Sequence, residues 1–409
     1  MEFNTIDYWK NQKGFPGLGG RKLKILSFLP NQGGCAYYRI ILPSRKLEEH
    51  FSNVVEIKYT ENPLGWENKD GKFEEKIDHD LFENCDIFWT NNIPNYGLNY
   101  LARCCGIARE HKKIFHFDTD DLLTELYDGH RLSKVYKEQG LSEGTKWIYN
   151  NSHLVTVTQR KFAERISQFM SPGTLLAVIK NAIDYNLPAW NAPKVQIPKN
   201  RFTRIGWAGG IHHEEDVKEF AGIPWLVNQK VGKENVRWDF YGKPPVDPKD
   251  KEKEKWQQDV WVNYERILCQ GFKNYKNYTI NSALPADTYG VMYSHFDVSI
   301  APLQMNCFND SKSDIKISEC GRYKVPLVAS NVGCYDEIIK NGVTGYLIDP
   351  KAPKSEWVRV LSKVIKDRDH REEMGRNLHA ITEEVFNINT KVHERLDLYA
   401  EYFKHNPLK

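Results

Sequence analysis

The sequence predicts an α/β protein built from two similar units, and three observations carry that prediction. Short apolar, β-branched runs alternate with helix-like segments along the chain, the pattern of a parallel sheet covered by helices. A strand followed by glycines and a helix occurs once in each half, at KLKILSFLPNQGG (22–34) and at FTRIGWAGG (202–210). Between the halves lies NLPAWNAPKVQIPKN (186–200), which holds three prolines and no hydrophobic periodicity, and so reads as a boundary. The expected division is residues 1–190 and residues 200–385, with a terminal helix over about 386–409.

Composition bounds what such a protein can be. A chain of 409 residues with 40% hydrophobic and 27% charged side chains can bury two ordinary cores and is not a disordered polymer. The net charge of +3 is too small to argue for nucleic acid at the level of the whole molecule. Eight cysteines include no C-x-x-C pair and no zinc spacing, so free thiols in a reducing compartment are the simplest account. No apolar leader and no apolar run of transmembrane length is visible, and the expected location is the cytoplasm.

In chain order, Ile6, Tyr8 and Trp9 predict one amphipathic turn, and GFPGLGG (14–20) an arm or loop. Strands are expected at Lys22–Leu29, Val54–Tyr59, Cys85–Thr90, Lys112–Phe117, His153–Thr158 and Leu175–Ile179, with a helix over Tyr37–His50. Ligands of a parallel sheet gather beyond the carboxyl ends of its strands. There, Gly33 and Gly34 let a backbone approach a phosphate or sugar, and Arg39 adds a fixed cation. Asp118, Asp120 and Asp121 follow the fourth strand; they can hold a metal, bind an acceptor hydroxyl, or cap a helix starting near Leu122. In the second half, strands are expected at Phe202–Trp207, Val236–Tyr241, Tyr278–Ile280, Phe296–Ala301 and Val325–Ser330. A charged helix face covers Lys249–Lys255, and a helix spans Ser355–Arg368. Val392, Leu396, Tyr399 and Phe403 form an apolar stripe on a last helix over about Thr390–Phe403, and that stripe must dock on another part of the protein.

The stretch SKSDIKISECGRYKVPLVAS (311–330) concentrates the chemistry. With a helix over Ser313–Tyr323, Lys312, Lys316 and Glu319 share one face, and lysines at a helix start after a strand outline a phosphate site. A solvated helix face carrying a lysine pair is the plainer reading of the same residues.

Taken in order, TRIGWAGGIHHEED, VRWDFYG, FDVSIAPL and SKSDIKISECGRYKVPLVASNVGCYDEIIKNGVTGYLI resemble the group 1 glycosyltransferases, family four, of the GT-B fold, across most of residues 203–348. GGCAYYRI and VIKNAID are weaker matches in the first half. The resemblance implies two Rossmann-like domains facing across a cleft, with the C-terminal helix crossing back to the N-terminal domain. It places Glu319 at the ribose of the nucleotide, while Ser311 stands where relatives carry the partner glutamate. Where relatives carry an Arg and Lys pair at the donor diphosphate, this chain has Gly209, Gly210, His212 and His213, and Lys312 and Lys316 are the substitutes.

The implied reaction is retaining transfer of a sugar from a nucleotide-diphosphate sugar, such as a UDP- or GDP-sugar, to a hydroxyl acceptor, without a metal. Lys316 and Lys312 are the expected catalytic cations; Gly33, Gly34, Arg39, Gly209, Gly210, His213, Ser311 and Glu319 are the expected donor site. Asp118, Asp120 or His116 is expected to orient the acceptor, which is a glycan, a lipid, a small molecule or, as in bacteriophage enzymes that modify DNA, a hydroxymethylated base. For DNA, the Gly14–Lys24 arm and the loop Asn92–Tyr100 are the candidate surface. The rival is a sugar-nucleotide-binding protein that has kept the frame and lost catalysis. The oligomeric state is left open.

Overall fold

The computed structural model describes residues 4–29, 33–70, 72–91, 97–196, 198, 201–244, 251–272 and 276–406. Two parallel sheets of six strands each form its frame, which is the GT-B arrangement expected from the sequence. The first contains β1 (Leu23–Phe28), β2 (Val55–Thr60), β5 (Ile87–Asn91), β6 (Ile114–Asp118), β7 (Leu154–Val157) and β8 (Leu175–Val178), in the order β2-β1-β5-β6-β7-β8. Between β2 and β5 the chain makes an antiparallel hairpin, β3 (Leu64–Lys69) and β4 (Lys72–Ile77), which the sequence pattern does not announce.

The second sheet contains β9 (Thr203–Ala208), β10 (Val236–Lys243), β11 (Tyr278–Ser282), β12 (Val298–Ala301), β13 (Leu327–Ser330) and β14 (Gly345–Ile348). Its order is β11-β10-β9-β12-β13-β14, so the strand direction of travel reverses between β9 and β12. In the first sheet the reversal falls between β1 and β5. A parallel sheet opens a crevice at such a reversal, beyond the strands' carboxyl ends. The chain leaves β9 through Gly209 and Gly210, and leaves β1 toward Gly33 and Gly34. Strand β9 is buried along its whole length, and a Cβ on Gly206 would lie 2.2 Å from the Phe296 ring, so only glycine fits there.

The last helices, Ile388–Lys391 and Glu394–His405, pack on the first sheet. Val392, Leu396, Tyr399 and Phe403 are all buried in one cluster with Trp9, Leu23 and Ile25, so the predicted stripe has found its partner. The arm 14–20 is part of the same cluster. Phe15 stacks on Trp9 at 5.5 Å and meets Phe403 edge-on at 5.8 Å, so the arm is docked through its apolar residues while Arg21 and Lys22 stay exposed. The aromatic loop considered with it lies at 92–96 outside the described residues, and Tyr100 beside it is buried. The helix expected near Leu122 is absent: residues 119–132 form turns, and the next helix is Ser133–Glu138. Among the described residues, no helix is long and apolar enough to cross a membrane.

Candidate functional site

Both sheets send charged residues toward the crevice, and the two sets meet very different fates. On the first sheet, Arg39 lies in a π-helical turn, Tyr37–Ile41, and is fully buried. Its Nε donates to Asp118 Oδ1 at 2.7 Å, and its Nη1 donates to the Ile179 carbonyl at 2.7 Å and to Asn181 Oδ1 at 3.0 Å. Arg395 of the last helix donates to Asp118 Oδ2 at 2.8 Å. Burial opposes ionisation of Asp118, but the two guanidinium charges outweigh it and hold the carboxyl below its ordinary value. Arg39 and Asp118 are therefore corrected from donor and acceptor groups to members of a closed ionic network.

His116 is corrected in the same way. Its ring nitrogens meet Tyr399 Oη at 3.0 Å and Thr156 Oγ1 at 2.9 Å, and it stacks on Trp89 at 5.6 Å. Burial drives its pKa down to about 3, so it is a neutral core histidine.

Asp120 and Asp121 instead stand with Cys35 in a cluster whose ligand atoms all lie within 4.8 Å of one another. Asp120 Oδ1 is buried without a hydrogen-bond partner, and burial followed by the charge of Asp121 pushes the Asp120 carboxyl up to about 7. Two carboxylates and a thiol could accept a cation or a proton. Neither aspartate caps a helix, because none starts there. Gly33 and Gly34 remain exposed at the start of the helix that follows.

On the second sheet, the chain turns after β9, where a Cβ on Gly209 would lie 2.4 Å from the Trp207 ring. Gly210 has open space about it, and His213 Nδ1 meets Asp216 Oδ2 at 2.7 Å. The other Asp216 oxygen accepts from the Gln304 N–H and from Asn309 Nδ2, each at 2.8 Å, tying this turn to the one after β12. Burial and then the charge of Lys312 push His213 down.

The key stretch folds as two short helices with a turn between them, Cys307–Asp310 and Ile315–Arg322. Lys312 therefore sits in the turn and not on the face shared by Lys316 and Glu319. Its Nζ lies 4.9 Å from the Phe308 ring centroid. Lys316 Nζ is 3.3 Å from Tyr289 Oη and 3.6 Å from Glu319 Oε2. Glu319 is 2% exposed and accepts from Tyr293 Oη at 2.7 Å; burial raises its pKa and Lys316 opposes the rise. Ser311 needs correction: it is fully buried and donates to the Cys307 carbonyl at 2.9 Å, a bond to its own helix that turns it away from any ligand.

The turn that carries Lys312 is seated by the opposite sheet. Lys180 pairs with Asp314 at 2.6 Å and with Glu337 at 3.1 Å, Asn181 donates to Ser313 Oγ at 3.2 Å, and Gln159 donates to the Asp310 carbonyl at 2.7 Å. From the turns 121–132, His130 stacks on His212 at 5.7 Å with planes 9° apart, and Arg131 pairs with Glu214. His130 is pushed down to about 4 by burial and then by its cationic neighbours, among them Lys312. Cys35, His130, Tyr289, Tyr293 and Asp216 were not singled out in the sequence as site residues. The signals available were the absence of periodicity over 121–132 and the aromatic spacing of Tyr289 and Tyr293.

Comparison with known proteins bears on the fold and on part of the second unit. Residues 284–379 match the family model for glycosyl transferases group 1, which covers the turn, both lysines and Glu319. No curated protein sequence matches the chain. Among solved structures, sucrose-phosphate synthase from Thermosynechococcus elongatus superposes with a TM-score of 0.63 at 13% identity, covering 94% of this chain and 100% of that one. The trehalose-6-phosphate synthase OtsA gives 0.60 at 10% identity, covering 93% and 99%. HepE from Anabaena, solved in complex with UDP and glucose, gives 0.58 at 15% identity, covering 93% and 99%. The fold is GT-B, and the match to the group 1 glycosyl transferases lies within the second unit, over residues 284–379.

Proposed function

We propose that this protein is a glycosyltransferase that moves a sugar, with retention of anomeric configuration, from a nucleotide-diphosphate sugar to a hydroxyl acceptor. The supporting observation is the position of Lys312. Its charge bears on Cys35 and His130 from the first sheet and on His212 and His213 from the second, so it lies where the two crevices open on each other. Breaking the bond from anomeric carbon to phosphate leaves negative charge on a diphosphate, and cations already in place stabilise that charge. Lys312 and Lys316 serve that role, and the backbone at Gly209 and Gly210 lets the diphosphate approach. UDP complexes of a structural neighbour, HepE, support a UDP-sugar as the first donor to try.

Asp120 receives the acceptor. A carboxyl near pH 7 with an unpartnered oxygen is matched to accepting a hydroxyl proton, either directly or while the leaving phosphate takes it on the same face. Two ammonium groups make a metal unnecessary for the leaving group. The donor unit on this reading is 200–385, and the acceptor unit is 1–190 with 386–409. Phe15 and Leu18 of the arm are docked on the fold, and a sugar or other small hydroxyl compound is the acceptor class we favour.

A panel of UDP-, GDP-, ADP- and dTDP-sugars tests the reading, first by thermal shift and then by release of nucleotide diphosphate. Turnover by the wild type and its loss in Lys316→Ala is the expected result. Stabilisation by a nucleotide with no turnover on any acceptor would make the protein a binder instead.

A further inference from the structure

One sizeable cavity lies away from the crevice. It measures about 940 Å³ and lies under the opposite edge of the second sheet, at the amino ends of β9 and β12, where Thr203, Arg204 and Asp297 line it. With about 3.3 Å of rise per residue, the six residues of β9 set it roughly 20 Å from the carboxyl ends that carry the catalytic groups.

Its charge is strongly one-sided. Nine of its lining residues are Lys or Arg and only two are acidic. Both carboxylates are already used: Asp297 accepts from Arg204 Nη2 at 3.0 Å, and Glu372 accepts from Arg368 Nε at 2.7 Å. Arg322 pairs with Glu383 from outside the lining. Among the described residues, Lys194, Arg201, Lys324, Lys366, Arg371 and Arg376 then have no carboxylate at ion-pair distance.

Arg371 makes the imbalance hard to explain as ordinary surface. It is 7% exposed, and its Nη1 donates only to neutral oxygens: Val364 O at 2.8 Å, Ile365 O at 3.1 Å and Thr203 Oγ1 at 3.2 Å. A buried guanidinium normally has an anionic partner, because an unpaired buried charge is costly. Burial pulls the Lys194 ammonium down; Asp297 opposes this, while the charges of Arg204 and Arg371 add to it. An anion in the cavity would relieve all of these at once.

We propose that this cavity is a second ligand site, which takes a small molecule carrying two or more phosphoryl groups. Its volume falls within the range of roughly 300–1,000 Å³ usual for small-molecule sites, and guanidinium groups match phosphate oxygens in pairs. The placement suits an effector and not a substrate, since the site opens away from the crevice. It stands independently of the sugar-transfer reading.

Calorimetric titration of the full chain with inorganic tripolyphosphate tests it. The double variant Lys366→Ala/Arg376→Ala removes two exposed, unpaired cations and should keep the wild-type melting temperature. Removing each charge-assisted hydrogen bond to the anion should weaken binding by about tenfold or more, whereas Lys316→Ala in the crevice should leave tripolyphosphate affinity unchanged. The proposal is overturned by a wild type that does not bind tripolyphosphate below millimolar concentration. It is equally overturned by binding that Lys316→Ala abolishes and the double variant retains, which would return the anion to the crevice. A short DNA duplex that binds through Lys366 and Arg376 and is not displaced by tripolyphosphate would overturn it in favour of nucleic acid.

Discussion

The Arg39–Asp118–Arg395 network and the Lys312–Lys316–Glu319 group hold similar charges at similar places in two similar sheets. In the first, both guanidinium groups are engaged by one carboxylate inside the fold: both Asp118 oxygens are taken and the side chains are out of water. In the second, Lys316 keeps a longer approach to a carboxylate at 3.6 Å, and among the described residues Lys312 has no carboxylate at ion-pair distance and stands 4.9 Å from the Phe308 ring centroid. The closed cluster stabilises the fold, and the open one has charge left for a ligand. A charged residue at a strand's carboxyl end is thus a site only if the rest of the chain has not already neutralised it.

Five experiments test that contrast. The largest effect should come from Asp118→Ala, which leaves two buried guanidinium groups unmatched and should cost about 3–5 kcal/mol, measured by urea unfolding. Ending the chain near residue 385 removes Arg395 and the stripe with it and should give insoluble protein. A soluble, normally melting Asp118→Ala would show that the network is not structural. Next, Lys316→Ala should lower turnover by about tenfold to a hundredfold, with the fold intact by circular dichroism. Near-normal sugar transfer in that variant would remove Lys316 from the leaving group.

A smaller effect separates the two aspartates by pH. The folded pKa of Asp120, about 7, lies above its unfolded value near 3.9. The stability this gives is complete below about pH 4 and is lost as pH rises through 7. Asp120→Asn, which copies the neutral form, should melt with the wild type at pH 4 and above it at pH 8, while transfer falls. If both proteins melt together at pH 8, the carboxyl is not desolvated as described. The smallest expected effect is that of a chelator: EDTA should leave turnover unchanged. Strict dependence on a divalent ion would instead give Cys35, Asp120 and Asp121 the role of ligands.

The frame was legible because its signals are local. Eleven of the twelve strands of the two sheets fall on runs expected as strands, β14 (Gly345–Ile348) being the exception, and glycines follow β1 and β9. The fates of Arg39, Asp118 and His116 were not legible, because they depend on Arg395 and Tyr399, which lie 277 and 283 residues beyond Asp118 and His116. Ser311 was misjudged for a more local reason. The helix Cys307–Asp310 gives its hydroxyl a carbonyl four residues back, and neither periodicity nor resemblance reports such a bond. Lys312 was placed on a helix face because its spacing to Lys316 permits it, but the helix begins only at Ile315.

The last helix also sets a clock on biosynthesis. Asp118 and its partner Arg395 are separated by 277 residues, which at a synthesis rate of about 5–20 residues per second is roughly 15–55 s. During that interval the first sheet exists as a nascent chain in which Asp118 Oδ2 lacks its donor Arg395 and Trp9 and Phe15 lack their cover from Phe403 and its neighbours. The N-terminal half is made first and completed last, so a chaperone that holds it at the ribosome would act on this surface.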